Sequence, residues 1–332
     1  MKRHRHVLEA QQFGRAELEE LFETTRVMKA ELCRKGGQRH RILAGLRTEL
    51  PTKHVTCMFW EPSTRTRMSF TLAARHLGMT VDGSDNAGEF SSSVKGESLE
   101  DMMQVLMRYR PDFVVIRHKD EGSAARAAKV ADSLWNNHPV CVINAGDGQG
   151  QHPTQSLLDL FTIVERFGFK NLKKLKIVIG GDLLFGRTTH SLAYLLGKFP
   201  GVRLVFVSPD ELRMKPGVKE YLTRHGVSFE ETGDFQSAVK EASVVYWTRV
   251  QKERFVGADG LATYERIKDN YIITPREMEM LEDYTMLLHP LPRINEISTD
   301  VDRDPRDWKF RQAENGLPVR MALYMSFLPN GD

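Results

Sequence analysis

The chain is poor in cysteine, contains no long hydrophobic run and carries little excess charge. Its 332 residues include three scattered cysteines without metal-ligand spacing, so we expect neither a disulfide framework nor a cysteine metal site. No apolar run approaches the roughly 20 residues that span a bilayer, and the basic start Lys2–His6 lacks the apolar stretch of a secretory signal. The net charge of +3 is too small to indicate nucleic-acid binding. We therefore expect a cytoplasmic protein that binds neither membrane nor nucleic acid.

The loops that follow the predicted strands also lack the usual equipment for covalent or metal catalysis. They contain no carboxylate pair, no evident nucleophilic serine or cysteine, and no metal-ligating cluster, so we expect no metal and no cofactor. A Gly-rich loop at 146–150 lies between a strand and a helix, but Gln151 and Pro153 stand where a dinucleotide fingerprint needs its last glycine. A nicotinamide-dependent dehydrogenase is therefore disfavoured.

What the sequence does contain is an alternation of apolar runs and helical stripes that restarts once along the chain. Strands are predicted at 54–60, 79–81, 112–118 and 139–143 in the first half, and at 175–180, 202–207, 242–247 and 285–288 in the second. The predicted helix 156–168 between the halves is apolar around much of its circumference. The pattern is typical of an α/β protein with about two domains, and 41% hydrophobic residues are enough for their cores.

A phosphate site is predicted where the first strand meets the next helix, at Glu61-Pro62-Ser63-Thr64-Arg65-Thr66-Arg67. The helix is expected to begin near Ser63 and Thr64 and to end at Gly78. A helix start offers unpaired N–H groups and the positive end of the helix dipole, which together favour an anion. An ordinary cap with surface arginines is the alternative, but the hydroxyls and guanidinium groups crowded on this turn favour a phosphate ligand.

Polar groups follow two further strands of the first half. Arg117 ends the third strand, and ligands of parallel sheets bind beyond the carboxyl ends of strands, so we expect Arg117 to meet the same anion. The fourth strand leads to His152-Pro153-Thr154-Gln155, where Thr154 is predicted to cap a helix. His152 and Gln155 lie about one helical turn apart and can face one ligand, the imidazole on a carbonyl oxygen and the carboxamide on an amide.

The second half places Arg187, Arg249 and Gln251 just after its strands. Any one of these side chains alone would be an ordinary surface group, but their shared placement favours a site for one or more carboxylates. Together the two halves suit the transfer of a carbamoyl group from a mixed phosphate anhydride to an anionic amino acid. Orientation of the reactants and stabilisation of a developing oxyanion would suffice for this reaction.

From about residue 50 to Leu328, several motifs in the same order resemble those of the aspartate carbamoyltransferase (aspartate transcarbamylase) catalytic subunits. They are Ser63-Thr64-Arg65-Thr66-Arg67, the stretch 147–155 with Gln151-His152-Pro153-Thr154-Gln155, Gly186-Arg187-Thr188, the stretch 248–254, and His289-Pro290-Leu291-Pro292-Arg293. The resemblance implies two doubly wound parallel-sheet domains, the carbamoyltransferase fold, and a C-terminal helix near 313–327 that returns to the first domain. A carbamoyl phosphate-binding domain is expected at 1–153 plus 312–332, and an aspartate-binding domain at 154–311. The implied activity gives N-carbamoyl-L-aspartate in de novo pyrimidine biosynthesis.

The resemblance also implies a role for each matching residue. Ser63, Thr64, Arg65 and Thr66 would hold the phosphate with Arg117, while Thr66, Arg117 and His152 would bind the carbonyl oxygen. Gln155 and the backbone carbonyls of Pro290 and Leu291 would hold the carbamoyl amide. Arg187 would bind the α-carboxylate of aspartate, and Arg249 with Gln251 its side-chain carboxylate. Ser91 and Lys95 match positions that reach into a neighbouring subunit's site, so the expected assembly is a homotrimer with shared active sites. The groups expected to act in catalysis are Arg65, Thr66, Lys95, Arg117, His152 and Gln155.

Two other functions are weighed against this one. An ornithine-type carbamoyltransferase would carry a cysteine where this chain has Pro290, and would not place Arg249 against a cationic side chain. A catalytically silent binding subunit would have lost some of the ligands, which are all present here. The chain departs from the family in the loop that contains Ser91, which reads Ser91-Ser92-Ser93-Val94-Lys95. It also has Pro318 in the region of the C-terminal helix, where a proline can shift the start of the helix. The sequence leaves open whether a regulatory chain binds.

Overall fold

The computed structural model describes residues 5–34, 41–85, 96–134 and 138–328, and Ser91 and Lys95 lie outside these ranges. The chain divides into two compact units. One comprises Met1–Gln155 with Asn315–Asp332, and the other comprises Ser156–Glu314. Each unit is built on its own parallel sheet, as the strand–helix alternation predicts.

The first unit contains a four-stranded parallel sheet in the order β2-β1-β3-β4. The strands are β1 His54–Phe59, β2 Thr80–Ser84, β3 Phe113–His118 and β4 Cys141–Asp147. Strand β1 is buried from its second residue on because both its neighbours and both layers of helices cover it, which explains its nearly continuous apolar sequence. One boundary differs from the prediction. Strand β4 continues through Asp147, past the predicted end at residue 143, because an irregularity in β3 between Ile116 and His118 keeps the two strands paired.

Six helices begin in the described part of the first unit before the chain passes to the second. They are α1 Arg15–Cys33, α2 Arg41–Glu49, α3 Thr64–Leu77, α4 Leu99–Arg108, α5 Ser123–Ser133 and α6 Pro153–Phe167, with a 3₁₀ turn at Ala10–Gln12. Helix α3 begins and ends where the sequence predicts, and Gly78 closes it with φ +90, a conformation that glycine adopts at little cost.

A segment ahead of α1, which the sequence did not predict to be ordered, pairs with the sheet. Val7 forms a parallel bridge with Ile143, its N–H donates to the Val142 carbonyl at 2.9 Å, and its carbonyl accepts from Asn144 at 2.8 Å. The segment therefore covers the edge of β4, which would otherwise expose unpaired backbone groups.

The last helix, α13 Gly316–Phe327, belongs to the first unit, so the predicted return of the C-terminal helix is confirmed. Its Tyr324 ring packs edge-on against Phe70 and Phe113 with centroid distances of 6.1 and 4.9 Å, and Tyr324 is fully buried. Pro318 occupies the third position of α13, where the missing N–H has no intrahelical acceptor. The helix accordingly begins at Gly316 rather than at residue 313.

The second unit contains a five-stranded parallel sheet in the order β7-β6-β5-β8-β9. Its strands are β5 Lys176–Gly180, β6 Arg203–Val207, β7 Ser228–Thr232, β8 Val244–Trp247 and β9 Met286–Leu288. Its remaining helices are α7 Arg187–Leu196, α8 Pro216–Arg224, α9 Phe235–Val239, α10 Gly257–Ile267, α11 Pro275–Met278 and α12 Lys309–Glu314. Short 3₁₀ segments lie at Phe169–Lys174, Asp210–Leu212, Lys252–Arg254 and Thr299–Arg303. The sequence did not predict strand β7, because it is a half-exposed edge strand with a single apolar residue, Phe229.

Two features are absent from the part of the chain that the structure describes. No helix in these ranges is long and apolar enough to cross a bilayer. In the same ranges, no group of three or more His, Cys, Asp or Glu side chains is arranged to hold a metal ion.

Candidate active site

The turn from β1 into α3 has the geometry of an anion site. Ser63 precedes the helix with φ −159, and its side chain does not cap the helix. The first intrahelical bond runs from the Arg67 N–H to the Ser63 carbonyl at 3.0 Å, so the N–H groups of 64–66 have no acceptor within the helix. Thr64 and Arg65 are exposed and Thr66 is buried. The turn therefore presents hydroxyl and guanidinium donors beside the positive end of α3.

Arg67 and Arg65 differ in their surroundings within this turn. The Arg67 guanidinium pairs with the carboxylate of Asp85, which follows β2. Arg65 lies two residues earlier in the same first turn of α3, and its side chain is exposed. Asp85 neutralises Arg67, so Arg65 is the better candidate of the two to bind a phosphate.

Arg117 reaches the same edge of the sheet from the neighbouring strand. It lies opposite Phe59 in the register of β1 and β3, and its carbonyl accepts from the Trp60 N–H at 2.8 Å. Its guanidinium donates to the Ala145 carbonyl at 3.1 Å and lies 3.5 Å from the Glu61 carboxylate. Because the carboxyl ends of parallel strands meet at one edge, Arg117 lies beside Glu61, where the turn 61–67 (the anion turn) begins. That Arg117 meets the anion itself stays a prediction.

A buried aspartate organises the loop that precedes α6. The Asp147 carboxylate accepts from the Gln151 N–H at 2.8 Å and from the Gly122 N–H at 2.9 Å. Gln151 in turn accepts from the Ala10 N–H and donates to Gln11, both at 2.8 Å. The loop is therefore fixed from α5 on one side and from the N-terminal segment on the other.

His152 and Gln155 lie at the end of this loop. His152 is 3% exposed, and its carbonyl accepts from the Gln155 N–H at 3.0 Å. The prediction that Thr154 caps the helix is wrong, because Pro153 takes the first helical position and Thr154 lies inside the first turn. Thr154 is instead buried, with its hydroxyl 3.5 Å from both His152 Nδ1 and the Arg320 guanidinium.

Replacing Gly148 in this loop should destabilise the unit. Gly148 has φ +53, and an added Cβ would lie 2.5 Å from the Lys119 carbonyl oxygen. Gly148→Ala should therefore lower the free energy of unfolding by about 2–3 kcal/mol, since strain and a steric clash add. Gly122→Ala is the matched control, because Gly122 has φ +78 but open space around the added atom, and should cost about 1 kcal/mol. Urea denaturation of both variants measures the difference, and equal costs would contradict the predicted clash.

In the second unit, the buried Asp182 connects the loop that leads to Arg187 with the segment that carries Gln251. Arg187 is the first residue of α7, in the loop that follows β5. Asp182, in the same loop, is fully buried and accepts from the Phe185 N–H at 2.9 Å. It also accepts from the backbone and side-chain N–H groups of Gln251, at 3.3 and 3.2 Å. Asp182 thereby ties the loop that carries Arg187 to the segment that carries Gln251.

Asp182 should also give the protein a pH-dependent stability. Burial raises the pKa of Asp182 from 3.8 to about 6, although the N–H groups of Phe185 and Gln251 and the charge of Arg249 act in the opposite direction. Between about pH 4 and pH 6, Asp182 holds a proton in the folded state but not in the unfolded state. The stability that this bound proton contributes is therefore lost as the pH rises through that range. Relative to Asp182→Asn, the wild type should gain about 2 kcal/mol between about pH 7 and about pH 4.5. Urea denaturation across this range tests it, and parallel pH profiles would contradict it.

Arg249 follows β8 and presents its guanidinium to a carboxylate. It makes two hydrogen bonds to Glu253, one of them at 3.0 Å, and this pairing raises the pKa of Arg249. The bidentate geometry is the one that an aspartate carboxylate would require. Glu253, four residues further along the chain, is the exposed carboxylate that Arg249 holds in this structure.

The loop after β9 carries Pro290 and Leu291. The Leu291 N–H donates to His289 Nδ1 at 2.8 Å, and Leu291 has φ +56. The Leu291–Pro292 peptide bond is cis. Both residues are partly exposed, whereas His289 is buried.

Sequence reasoning missed the carboxylates that support the site. Asp147 and Asp182 stand in loops that the sequence singled out, and Glu253 stands four residues after Arg249. A signal for Asp147 and Asp182 was present, since an aspartate just after a buried strand commonly accepts the N–H groups of the following loop. Their distant partners, Gly122 and Gln251, could not be read from the sequence.

The chain matches family models and known proteins over most of its length. Residues 5–165 match the family model "Aspartate/ornithine carbamoyltransferase, carbamoyl-P binding domain", and residues 173–327 match "Aspartate/ornithine carbamoyltransferase, Asp/Orn binding domain". The chain is 45% identical over 320 residues to the chloroplastic aspartate carbamoyltransferase of Oryza sativa, covering 96% of this chain and 83% of that one. It is 42% identical to the aspartate carbamoyltransferase catalytic subunit of Vibrio vulnificus, covering 96% and 95%.

A solved structure is similar over the whole chain. The aspartate transcarbamoylase of Trypanosoma cruzi, in complex with carbamoyl phosphate and aspartate, has a TM-score of 0.84 and 33% identity, covering 98% of this chain and 97% of that one. The predicted fold and the predicted resemblance are therefore confirmed. On the two family models and these relatives, the chain belongs to the aspartate/ornithine carbamoyltransferase family.

Proposed function

We propose that this protein transfers the carbamoyl group of carbamoyl phosphate to the amine of L-aspartate, giving N-carbamoyl-L-aspartate and phosphate in de novo pyrimidine biosynthesis. The relatives from Oryza sativa and Vibrio vulnificus carry this activity in their names. The observation that carries the proposal is Arg249, whose guanidinium already binds a carboxylate in a bidentate manner. That group suits the anionic side chain of aspartate and would repel the cationic side chain of ornithine.

Carbamoyl phosphate would be bound mainly by side chains of the first unit. Ser63, Thr64, Arg65 and Thr66 would hold the phosphate with Arg117, and Thr66, Arg117 and His152 would bind the carbonyl oxygen. Gln155 and the carbonyls of Pro290 and Leu291 would hold the amide. The buried environment of His152 supports its role, because hydrogen bonds to a charged oxygen are stronger where water is excluded.

The reaction needs no covalent intermediate and no cofactor. The aspartate amine attacks the carbonyl carbon, and the C–N bond forms as the oxygen gains negative charge. The C–O bond to phosphate then breaks, and the departing phosphate takes the proton from the amine. The protein's own groups orient the two reactants and stabilise the developing oxyanion.

The second unit would bind aspartate. Arg187 would take the α-carboxylate, and Arg249 with Gln251 the side-chain carboxylate. Asp182 supports this assignment, because it fixes the backbone and the carboxamide of Gln251. Aspartate would replace Glu253 on Arg249.

The choice of acceptor is tested by offering carbamoyl phosphate with L-aspartate or L-ornithine to the purified protein. We expect product with aspartate alone. Product with ornithine would overturn the assignment of Arg249. No transfer to either acceptor, by a protein that still binds phosphate, would favour a silent binding subunit.

We further propose a homotrimer with shared active sites, in which Ser91 and Lys95 act on a neighbouring subunit's substrates. The proposal follows from the family resemblance, since both residues lie outside the described ranges. Mixing inactive Lys95→Ala and Arg117→Met subunits tests it, because a hybrid trimer with shared sites would contain one intact site. Recovery of activity on mixing is expected, and its absence from hybrids shown to form would contradict sharing.

For the compartment, we propose the cytoplasm. The sparse, unpaired cysteines support a reducing environment, and two of the three are buried. The Oryza sativa relative is named as chloroplastic, so fractionation of the source cells, with this protein detected in the soluble cytoplasmic fraction, is the test.

A further inference from the structure

A chain of buried hydrogen bonds in the second unit ends at the loop that carries Pro290. The Tyr246 hydroxyl donates to Asp159 at 2.9 Å, and the Gln312 carboxamide donates to the same carboxylate at 2.6 Å. The Gln312 side-chain oxygen accepts from the His289 N–H at 2.8 Å. Each of these four residues is at most 2% exposed, so every bond in the chain is shielded from water.

The direction of each bond follows from the chemistry of the groups. The His289 N–H can only donate, so the Gln312 oxygen faces it and the Gln312 NH₂ faces the Asp159 carboxylate. A reversed carboxamide would place donor against donor at His289 and acceptor against acceptor at Asp159. Asp159 therefore fixes the orientation of Gln312, and Gln312 in turn fixes the backbone of His289.

The His289 ring extends the chain of hydrogen bonds to the Pro290–Leu291 peptide. Its Nδ1 accepts from the Leu291 N–H at 2.8 Å, and its Nε2 lies 2.8 Å from the Glu296 carboxylate. With Nδ1 as an acceptor, the neutral ring carries its proton on Nε2. Burial lowers the pKa of His289, although Glu296 acts in the opposite direction, which supports the neutral form.

The bond from Leu291 to His289 sets the direction of the Pro290 carbonyl. In a trans peptide the C=O and the N–H point in opposite directions. Holding the Leu291 N–H on the His289 ring therefore aims the Pro290 carbonyl away from that ring. Leu291 has φ +56, a conformation that a leucine keeps only when its surroundings enforce it.

We propose that Gln312 is a positioning residue for catalysis: through His289 it holds the Pro290–Leu291 peptide so that the Pro290 carbonyl meets the amide of the carbamoyl group. The inference rests on the proposed function, in which the Pro290 and Leu291 carbonyls hold that amide. Gln312 itself touches no substrate, and its effect is exerted through His289.

The test compares two probes that differ in the amide. Phosphonoacetamide carries a phosphonate and a carbamoyl-like amide, whereas inorganic phosphate lacks the amide. In Gln312→Met, which keeps the length but loses both hydrogen bonds, phosphonoacetamide should bind about tenfold more weakly by titration calorimetry, while phosphate affinity changes less than about twofold. The kcat should fall by about tenfold as well. Gln236→Met is the matched control, because Gln236 is an exposed glutamine of the same unit.

Exchanging the carboxylate and the carboxamide between positions 159 and 312 separates a positioning role of Gln312 from a general loss of structure. Gln312→Glu should lower kcat, since it puts two buried carboxylates together. Adding Asp159→Asn turns the second carboxylate into an amide, whose NH₂ can donate to the new carboxylate and whose oxygen can accept from the Tyr246 hydroxyl. The double variant restores one donor and one acceptor at each contact, and should recover kcat and phosphonoacetamide affinity to within about threefold of the wild type.

The outcomes distinguish this inference from the proposed function. Equal weakening of both probes in Gln312→Met, an unchanged kcat, or a double variant no better than Gln312→Glu alone would overturn the role of Gln312. A wild-type protein that binds phosphate but gains nothing from the amide of phosphonoacetamide would instead overturn the proposed carbamoyl contacts, and the inference with them.

Discussion

Arg117→Met should lower kcat for carbamoyl transfer by about 10³-fold, the loss expected when a fixed charged donor is removed from a developing oxyanion. The guanidinium is held by the Ala145 carbonyl at 3.1 Å and lies 3.5 Å from Glu61. It is therefore oriented before substrate binds and needs no reorganisation during the reaction. Methionine keeps much of the side chain's apolar length, so the packing at the end of β3 should survive.

The substitution has a second effect, because it removes the guanidinium that lies 3.5 Å from the Glu61 carboxylate. A carboxylate near the anion turn opposes phosphate binding, so the affinity for inorganic phosphate should also fall, by about tenfold or more. Steady-state kinetics and titration calorimetry with phosphate measure the two effects. Arg75→Met is the matched control, since Arg75 is an exposed arginine in the last turn of α3. A variant at 117 that retained more than about a tenth of the wild-type kcat would exclude Arg117 from the oxyanion site.

Arg249→Ala should lower kcat/KM for aspartate by about 10³-fold, because it removes two charge-assisted hydrogen bonds of about 2 kcal/mol each. The effect should fall mainly on the KM for aspartate, since the lost contact binds the acceptor's side chain rather than the reacting carbonyl. Phosphate binding should remain within about twofold of the wild type, because the anion turn belongs to the first unit.

The control for this variant is Arg276→Ala, an exposed arginine of the same unit outside the site. Initial rates over a range of aspartate concentrations give KM and kcat separately. If Arg249→Ala changed the KM for carbamoyl phosphate and left that for aspartate unaltered, the two substrates would have been assigned to the wrong groups.

The predicted parts of the site rest on signals within short stretches of sequence. The anion turn follows an apolar strand and precedes a helix closed by Gly78, so its position needed no knowledge of the fold. Arg117 lies near the end of a buried strand and Arg249 just after one, and parallel strands bring such residues to one edge of their sheet. Errors occurred where local signals competed, as at Thr154, a residue suited to a cap that Pro153 moves into the helix.

By itself, the sequence determined where most of the strands lie and which donors stand near their ends, because burial and helix starts leave local patterns. The tertiary structure decided what holds those donors in place. Asp182 meets Gln251 and Gln312 meets Asp159 across separations of 69 and 153 residues, which no local pattern encodes. A hydrogen bond needs placement to within a few tenths of an ångström, and only the packed sheet and its helices fix side chains so closely. The residue types of the candidate site could therefore be predicted from the sequence, whereas the contacts that fix their positions depend on the tertiary structure.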